Sequence, residues 1–246
     1  MNNTVKEKNI SNLISLWETV GNSFQKQFSQ NTINYCQVSG SEWPNRVWFT
    51  AGVTEETLET AAEIIWSSSI PLTLSHWSDF ENELHPIFEQ FRFGKKSEQI
   101  GMSLKLHGKY THSDRITLQR VTEESQATSW SALYPRSFGY QISPEILNKT
   151  NHLISYYLVR FNDQIIGTVI AHKTENVLGV HGLGIIPEFR KQGLAEEVMA
   201  HLINNAIDDH VEFVTLQSSA MGKGIYQKMG FSEDFLMTNY GLLTTP

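Results

Sequence analysis

The order of apolar and polar positions divides the chain into alternating helices and strands. From Asn9 to about Phe28, Ile10, Leu13, Ile14, Trp17 and Val20 recur at helical spacing, which predicts an amphipathic helix. Ile33–Val38 and Arg46–Thr50 read as short strands joined through a Ser-Gly-Ser turn and Trp43-Pro44-Asn45. Thr54 opens a helix to about Ser67, with Glu55, Glu56 and Glu59 suited to its positive N-terminal dipole. Pro71–Leu74 follows as a strand, and Ser78-Asp79 can cap a second helix to about Gln90. Phe91–Phe93 and Gln99–Leu106 read as a closing hairpin, and the polar, aperiodic run Gly108–Asp114 reads as a domain boundary.

Beyond that run, Ile116–Val121 alternates as a strand and Thr122-Glu123-Glu124 starts a helix. Tyr134–Tyr140 is an aromatic loop, and Ser143-Pro144-Glu145 begins a short helix with proline at a favoured first position. Three strands, His152–Arg160, Ile165–Ala171 and Val177–Ile186, are separated by short turns and predicted to pair antiparallel. A helix over Gly193–Asp209, a strand over Val211–Gln217, a helix near Gly222–Met229 and a last strand from Phe231 to Leu243 complete the chain. The second half therefore reads β-α-α-β-β-β-α-β-α-β, an α/β layer with a mixed sheet.

Composition narrows the choices without naming a function. The 246 residues suffice for one large domain or two smaller ones, and 40% hydrophobic residues can bury a substantial core. A formal charge of -7 argues against nonspecific nucleic-acid binding and is compatible with a cationic substrate. Cys36 is the single cysteine, so neither an intrachain disulfide nor a cysteine-based zinc site is expected. The polar start and the absence of a long apolar run predict a cytoplasmic protein with no membrane span.

One stretch combines three properties found together nowhere else in the chain. His181–Ile186 is a buried strand, Pro187–Gly193 a basic turn, and Leu194-Ala195 the start of a long amphipathic helix. Such a junction suits phosphate groups: Gly193 lets backbone approach an anion, and the N–H groups of Gln192–Ala195 point at it. Arg190 and Lys191 add charge. Neither Gly-x-Gly-x-x-Gly nor Gly-Lys-Ser/Thr follows, which disfavours a Rossmann or Walker nucleotide loop.

Arg190-Lys191-Gln192-Gly193-Leu194-Ala195, together with Ile225-Tyr226-Gln227-Lys228-Met229-Gly230-Phe231, resembles the GNAT (GCN5-related) N-acetyltransferases over about residues 115–246. The resemblance implies a mostly antiparallel mixed sheet flanked by helices, and acetyl-CoA as cosubstrate with no metal. It implies that Arg190, Lys191, Gln192, Gly193, Leu194 and Ala195 hold the pyrophosphate. The pantetheine arm would then pair along Leu183-Gly184-Ile185, and Ser219 would touch the cofactor where many members carry Asn. Tyr226 would be the general acid that protonates the leaving sulfur. His181, nine residues before Arg190, matches the spacing of a histidine in serotonin N-acetyltransferases that helps deprotonate the amine. Those enzymes have a second histidine two residues earlier, where this chain has Gly179. A core or pocket-lining role for His181 is an equal reading, and His172 and Glu188 are lesser candidates for the base. Tyr134, Phe138 and Tyr140 fall where the family builds its acceptor wall, although packing alone would account for them.

The first half reads as a worn copy of the second. Ile87-Phe88-Glu89-Gln90-Phe91-Arg92-Phe93 aligns with residues 225–231, with Phe88 in place of the proton-donating tyrosine. Three carboxylates at the start of the helix after Thr54 would repel a pyrophosphate. Residues 1–112 are accordingly expected to form a second, smaller α/β domain without a cofactor site, and 113–246 the catalytic domain. An unrelated α/β domain with a chance match remains the alternative. The whole reading is an N-acetyltransferase for a small-molecule or peptide amine, monomer or homodimer, with neither nucleic acid nor membrane as partner. A CoA-binding module that has lost catalysis is the second reading.

Overall fold

The computed structural model describes residues 4–80 and 85–243. Helix α1 spans Val5–Ser23 and is opened by a reciprocal cap: Glu7 N–H donates to Thr4 Oγ1, and Thr4 N–H donates to the Glu7 carboxylate at 2.7 Å. It ends before Phe28, because residues 27–30 form a strand that periodicity alone did not separate from the helix. The order continues β1(Gln27–Gln30), β2(Ile33–Cys36), β3(Arg46–Phe49), α2(Glu55–Ser67), β4(Thr73–Ser78), α3(His85–Gln90) and β5(Phe93–Lys105). Then come β6(Ile116–Arg120), α4(Glu124–Leu133), α5(Pro135–Phe138), α6(Pro144–Thr150), β7(Ser155–Phe161), β8(Gln164–Thr174) and β9(Val177–Ile185). A 3-10 turn over Pro187–Phe189 leads to α7(Leu194–Asp208), β10(Phe213–Ser218), α8(Lys223–Lys228) and β11(Ser232–Leu242).

Three expectations shift. Ser78 closes β4 instead of capping a helix, and α3 covers only His85–Gln90, the intervening residues 81–84 lying outside the described ones. Residues 93–105 form one unbroken strand, not a hairpin. The polar run Lys95–Glu98 looks like a turn in sequence, yet it is the solvent-facing part of a strand paired with β11. The aromatic segment at 134–140 is largely the short helix α5, which continues from α4 through Tyr134.

The eleven strands of the described residues join one sheet in the order β1-β2-β3-β4-β11-β5-β10-β9-β8-β7-β6. The ladders are antiparallel except β3 with β4 and β9 with β10. Two strands cross between the halves of the chain: β5 lies between β10 and β11, and β11 lies between β4 and β5. Their shared ladder is symmetric under the shift that carries Ile87 onto Ile225. That shift exchanges the pair Ser103–Ser232 with Gly94–Gly241, and Gly101–Phe235 with Ser97–Asn239, about a centre at Gln99–Met237. Even the ladder's two irregularities match, with Lys96 and Asp234 as the skipped residues. Each half thus completes its sheet with the other's final strand.

Helices cover both faces, as an α/β layer requires. Alternation along a strand sends neighbours to opposite sides: Trp48 joins the core under α1, α4 and α6, while Val47 joins the one under α2. Val169 and Ile170 divide in the same way between the α7 side and the α1 side. Helix α1 lies across the sheet centre on Leu13, Leu16, Trp17 and Val20, all buried, each worth about 1.5–3 kcal/mol of burial. It also carries two fully buried amides. Asn9 Nδ2 donates to Met102 O of β5 and Asn12 Nδ2 to His172 O of β8, so the helix is fixed in position as well as packed. No helix among the described residues is long and apolar enough to cross a membrane.

Candidate active site

The site begins where two parallel strands part. β9 and β10 pair only at Val177–Phe213, Leu178–Val214 and Gly179–Thr215, although β9 runs on to Ile185 and β10 to Ser218. The cause lies on the other edge of β9. Its register with β8 slips between Thr168–Gly184 and Ile170–His181, and Gly182 there adopts a φ of +53, a conformation open to glycine. This bulge bends β9 away from β10. Leu183, Gly184 and Ile185 consequently present backbone to the opening with no partner from β10.

At the far end of β9 the chain makes the expected turn. Lys191 and Gly193 take positive φ values of 63 and 77, and α7 begins at Leu194 with no side-chain cap, so its first N–H groups point outward unfilled. Arg190, Lys191, Gln192 and Gly193 are exposed, and a Cβ on Gly193 would find nothing nearer than an Arg115 nitrogen at 3.7 Å. The turn is an open, cationic cradle of N–H groups, a fit to a pyrophosphate. Leu194 is buried in the core behind it, so it anchors the helix, and Ala195 packs partly against the same core. Arg190 Nε donates to Ile185 O at 2.8 Å, which ties the turn to the strand. Arg115 was not singled out in sequence; it donates to Gln192 O and pairs with the buried Glu197 at 2.7 Å, bracing the turn from the residue before β6.

At the end of β10 lie the other two expected residues. Ser219 lies in the turn before α8, its hydroxyl accepting from Gly222 N–H at 3.3 Å. Tyr226 stands on α8, edge-on to Phe231 with ring centroids 5.7 Å apart. Its hydroxyl has no hydrogen-bond partner among the described residues, and burial pushes its pKa up to about 12.

His181 is held more tightly than its sequence context implied. Nε2 lies 3.1 Å from Asn12 Oδ1 and Nδ1 lies 3.1 Å from Gln217 Oε1. Asn12 spends its Nδ2 on His172 O and Thr174 Oγ1, and Gln217 gives its Nε2 to Asn9 Oδ1, so both amides turn oxygen toward the ring. A neutral imidazole carries one N–H and satisfies one of these oxygens; a proton gained on the other nitrogen would meet the second. Burial, then the neighbouring His172, hold the pKa of His181 down to about 3 against the Gln217 contact, which raises it. Gly179 leaves the room that Asn12 occupies, since a Cβ there would overlap Asn12 Oδ1. An amide from α1 thus stands where a second histidine was absent. His172 is buried beside Ser15, with its pKa lowered by burial to about 4, and Glu188 pairs with Arg136 on the surface.

Behind His181 the aromatic segment closes a cavity of about 90 Å³. Tyr134 stacks on Trp130 and Phe138, and its hydroxyl shares a 2.6 Å hydrogen bond with Tyr140. Gly182 and Gly184 let this aromatic layer sit directly on β9: a Cβ on Gly184 would come within 2.5 Å of the Phe138 ring. Tyr134, Tyr140, Trp17, His181, Gln217 and Arg46 all line the cavity; Trp17, Gln217 and Arg46 are not singled out as site residues by the sequence.

These histidines make a pH prediction. The folded pKa values of His172 and His181, about 4 and about 3, lie below the ordinary 6.5, as does that of His76 at about 4, in each case chiefly through burial. The unfolded chain therefore binds more protons than the folded chain between those limits, and stability falls as pH falls. The thermal midpoint should drop by several degrees from pH 7.5 to pH 5. A flat profile across that window would contradict the burial of three neutral rings.

Comparison with known proteins bears on the fold and the family. Residues 117–238 match the family model for an acetyltransferase (GNAT) domain. A GCN5-related N-acetyltransferase from Kribbella flavida is similar in fold, with a TM-score of 0.69 at 14% identity over 96% of this chain and 97% of that one. A putative GNAT acetyltransferase from Novosphingobium aromaticivorans gives 0.63, also at 14% identity, over the same shares. A GCN5-related N-acetyltransferase from Sphaerobacter thermophilus gives 0.61 at 13% identity over 85% of this chain and 76% of that one. No curated protein matches the sequence. The chain belongs, through residues 117–238, to the GNAT acetyltransferase family, and acetyl transfer is the chemistry that family implies.

Proposed function

We propose that the protein transfers an acetyl group from acetyl-CoA to a primary amine by direct attack within a ternary complex. The observation that carries the reading is the parting of β9 from β10, with a cationic N–H cradle at the end of one strand and the unpartnered phenol of α8 after the other. Acetyl-CoA would supply the activated acyl group, and the rest falls to side chains and backbone of this chain. The N–H groups of Gln192–Ala195, with Arg190 and Lys191, bind the pyrophosphate, and Ser219 lies at the facing edge. Leu183–Ile185 offer backbone hydrogen bonds to an extended arm, as a sheet edge does to an added strand.

As the amine nitrogen bonds to the acyl carbon and the carbon–sulfur bond breaks, Tyr226 gives its hydroxyl proton to the sulfur. Its raised pKa keeps the phenol protonated throughout the neutral range. The proton lost by nitrogen passes toward His181, either directly or through a water. The ring is neutral at pH 7, and although it is a weak base, the ammonium formed during attack is far more acidic than a free one. The Gln217 and Asn12 oxygens then receive both N–H groups of the protonated ring. On this reading the N-terminal half is a worn copy that has lost its own cofactor site and serves as a partner: α1, β3 and β5 complete the acceptor side.

The test is CoA release and N-acetyl product, detected by mass spectrometry, on a panel of amines, amino acids and peptides. Acetylation of at least one amine class is expected. Tight CoA binding with no acetylated product from any of them would favour the catalytically silent module instead.

A further inference from the structure

A cation stands in the cavity wall with no anion among the described residues to balance it. Arg46 lies on β3, in the N-terminal half, yet lines the same cavity as His181 and Gln217. Its guanidinium sits over the Trp17 ring, 6.0 Å from the centroid, and its Nε is shut off from solvent with no hydrogen-bond partner among the described residues. No ion pair to Arg46 forms among the described residues. Apart from burial itself, the ionisable groups acting on it are Tyr140, Cys36 and Tyr134. All three are neutral at pH 7: burial pushes the Cys36 thiol up to about 12 and raises both phenols above their ordinary value.

A guanidinium withdrawn from water without a counter-ion is costly, and its planar fork matches a carboxylate with two parallel N–H···O bonds. The cavity also has a direction. Arg46, Trp17, Tyr134 and Tyr140 line it together with His181 and Gln217, which stand on the strands that part at the cleft. We infer that Arg46 receives the carboxylate of the acceptor while the acceptor's amine points to the opening between β9 and β10. The acceptor is then a small amino acid or related amino-carboxylate, enclosed by the rings of Trp17, Tyr134 and Tyr140. This inference rests on the acetyl-transfer reading, and it gives the N-terminal half a task, the supply of the specificity-determining cation.

The experiment compares α-amino acids with their carboxamides and their decarboxylated amines, using wild type, Arg46→Met and Arg46→Lys. The readouts are kcat/KM for CoA release and the thermal shift that each compound produces in the presence of CoA. Wild type should favour the acids about 10²-fold, the expected scale for losing a charge-assisted bidentate contact. Arg46→Met should reduce that preference to a few-fold through KM, and Arg46→Lys should restore part of it. Only the acids should stabilise wild type. Equal use of acids and decarboxylated amines by wild type would overturn the assignment of Arg46 and leave acetyl transfer standing. Turnover of nothing, with thermal stabilisation still confined to the carboxylates, would overturn acetyl transfer and leave the Arg46 site standing. Absence of both would overturn both, and the substrate comparison on wild type stands even if Arg46→Met fails to fold.

Discussion

Tyr226→Phe should lower kcat by about 10²–10⁴-fold with little change in the affinity for CoA, the range expected when a positioned general acid is removed. The substitution deletes one hydroxyl and keeps the ring that packs edge-on against Phe231. Because the hydroxyl holds no hydrogen bond among the described residues, its loss leaves no protein group unpaired, and the thermal midpoint should hardly move. This separates chemistry from folding cleanly. Steady-state kinetics with a calorimetric CoA titration would check it. If the variant turned over at the wild-type rate, the sulfur would be protonated by another group, and the role given to α8 would be wrong.

The second large effect concerns the cradle. Gly193 holds a φ of +77 at the N-terminus of α7, in a turn where Lys191 is also left-handed. A β-branched residue resists that conformation, at a cost above the roughly 1–2 kcal/mol of an ordinary side chain. Gly193→Val should therefore shift the turn so that the N–H groups of residues 192–195 no longer converge. Each charge-assisted bond lost is worth about 1.5–3 kcal/mol, so losing two should weaken CoA binding about 10²-fold or more. The core behind the turn is unchanged, because Leu194 and Val198 remain buried, so the thermal midpoint should fall by only a few degrees. Unaltered CoA affinity in a folded Gly193→Val protein would place the phosphates elsewhere.

Much of this arrangement can be read from the chain because its signals are local. A strand, a glycine-bearing basic turn and a helix start are contiguous in sequence, and so are Tyr226 and the Gly-Phe pair after α8. The elements that escaped are those set by distant parts of the chain. Nothing in the sequence of residues 93–105 says that they enter the other half's sheet, and the polar residues Lys95–Glu98 there imitate a turn. Yet the matching of residues 87–93 with 225–231 did carry a tertiary fact, since the same shift governs the β5–β11 ladder. Asn9 and Asn12 offered a usable signal: two amides three residues apart on the apolar stripe of α1, beside Leu13 and Leu16, are costly unless something buried receives them. Arg46 offered none. A single arginine in a four-residue strand is ordinary until folding brings it beside Tyr134 and Tyr140.

The division of labour between the halves follows from the same exchange. By lending β5 to the C-terminal sheet, the N-terminal half brings α1 across the centre, and α1 supplies the Asn12 oxygen that orients His181. It also brings β3, and with it Arg46, to the cavity wall. The two halves thereby share the lining of one cavity, Trp17 and Arg46 from the first and Tyr134, His181 and Gln217 from the second.

A crystal structure of the protein with bound CoA is the most direct measurement. The pyrophosphate should lie within hydrogen-bonding distance of the N–H groups of Gln192–Ala195, the arm along Leu183–Ile185, and the sulfur beside the Tyr226 hydroxyl. Phosphates bound instead at the N-terminus of α2, beside Thr54, Glu55 and Glu56, would contradict this placement.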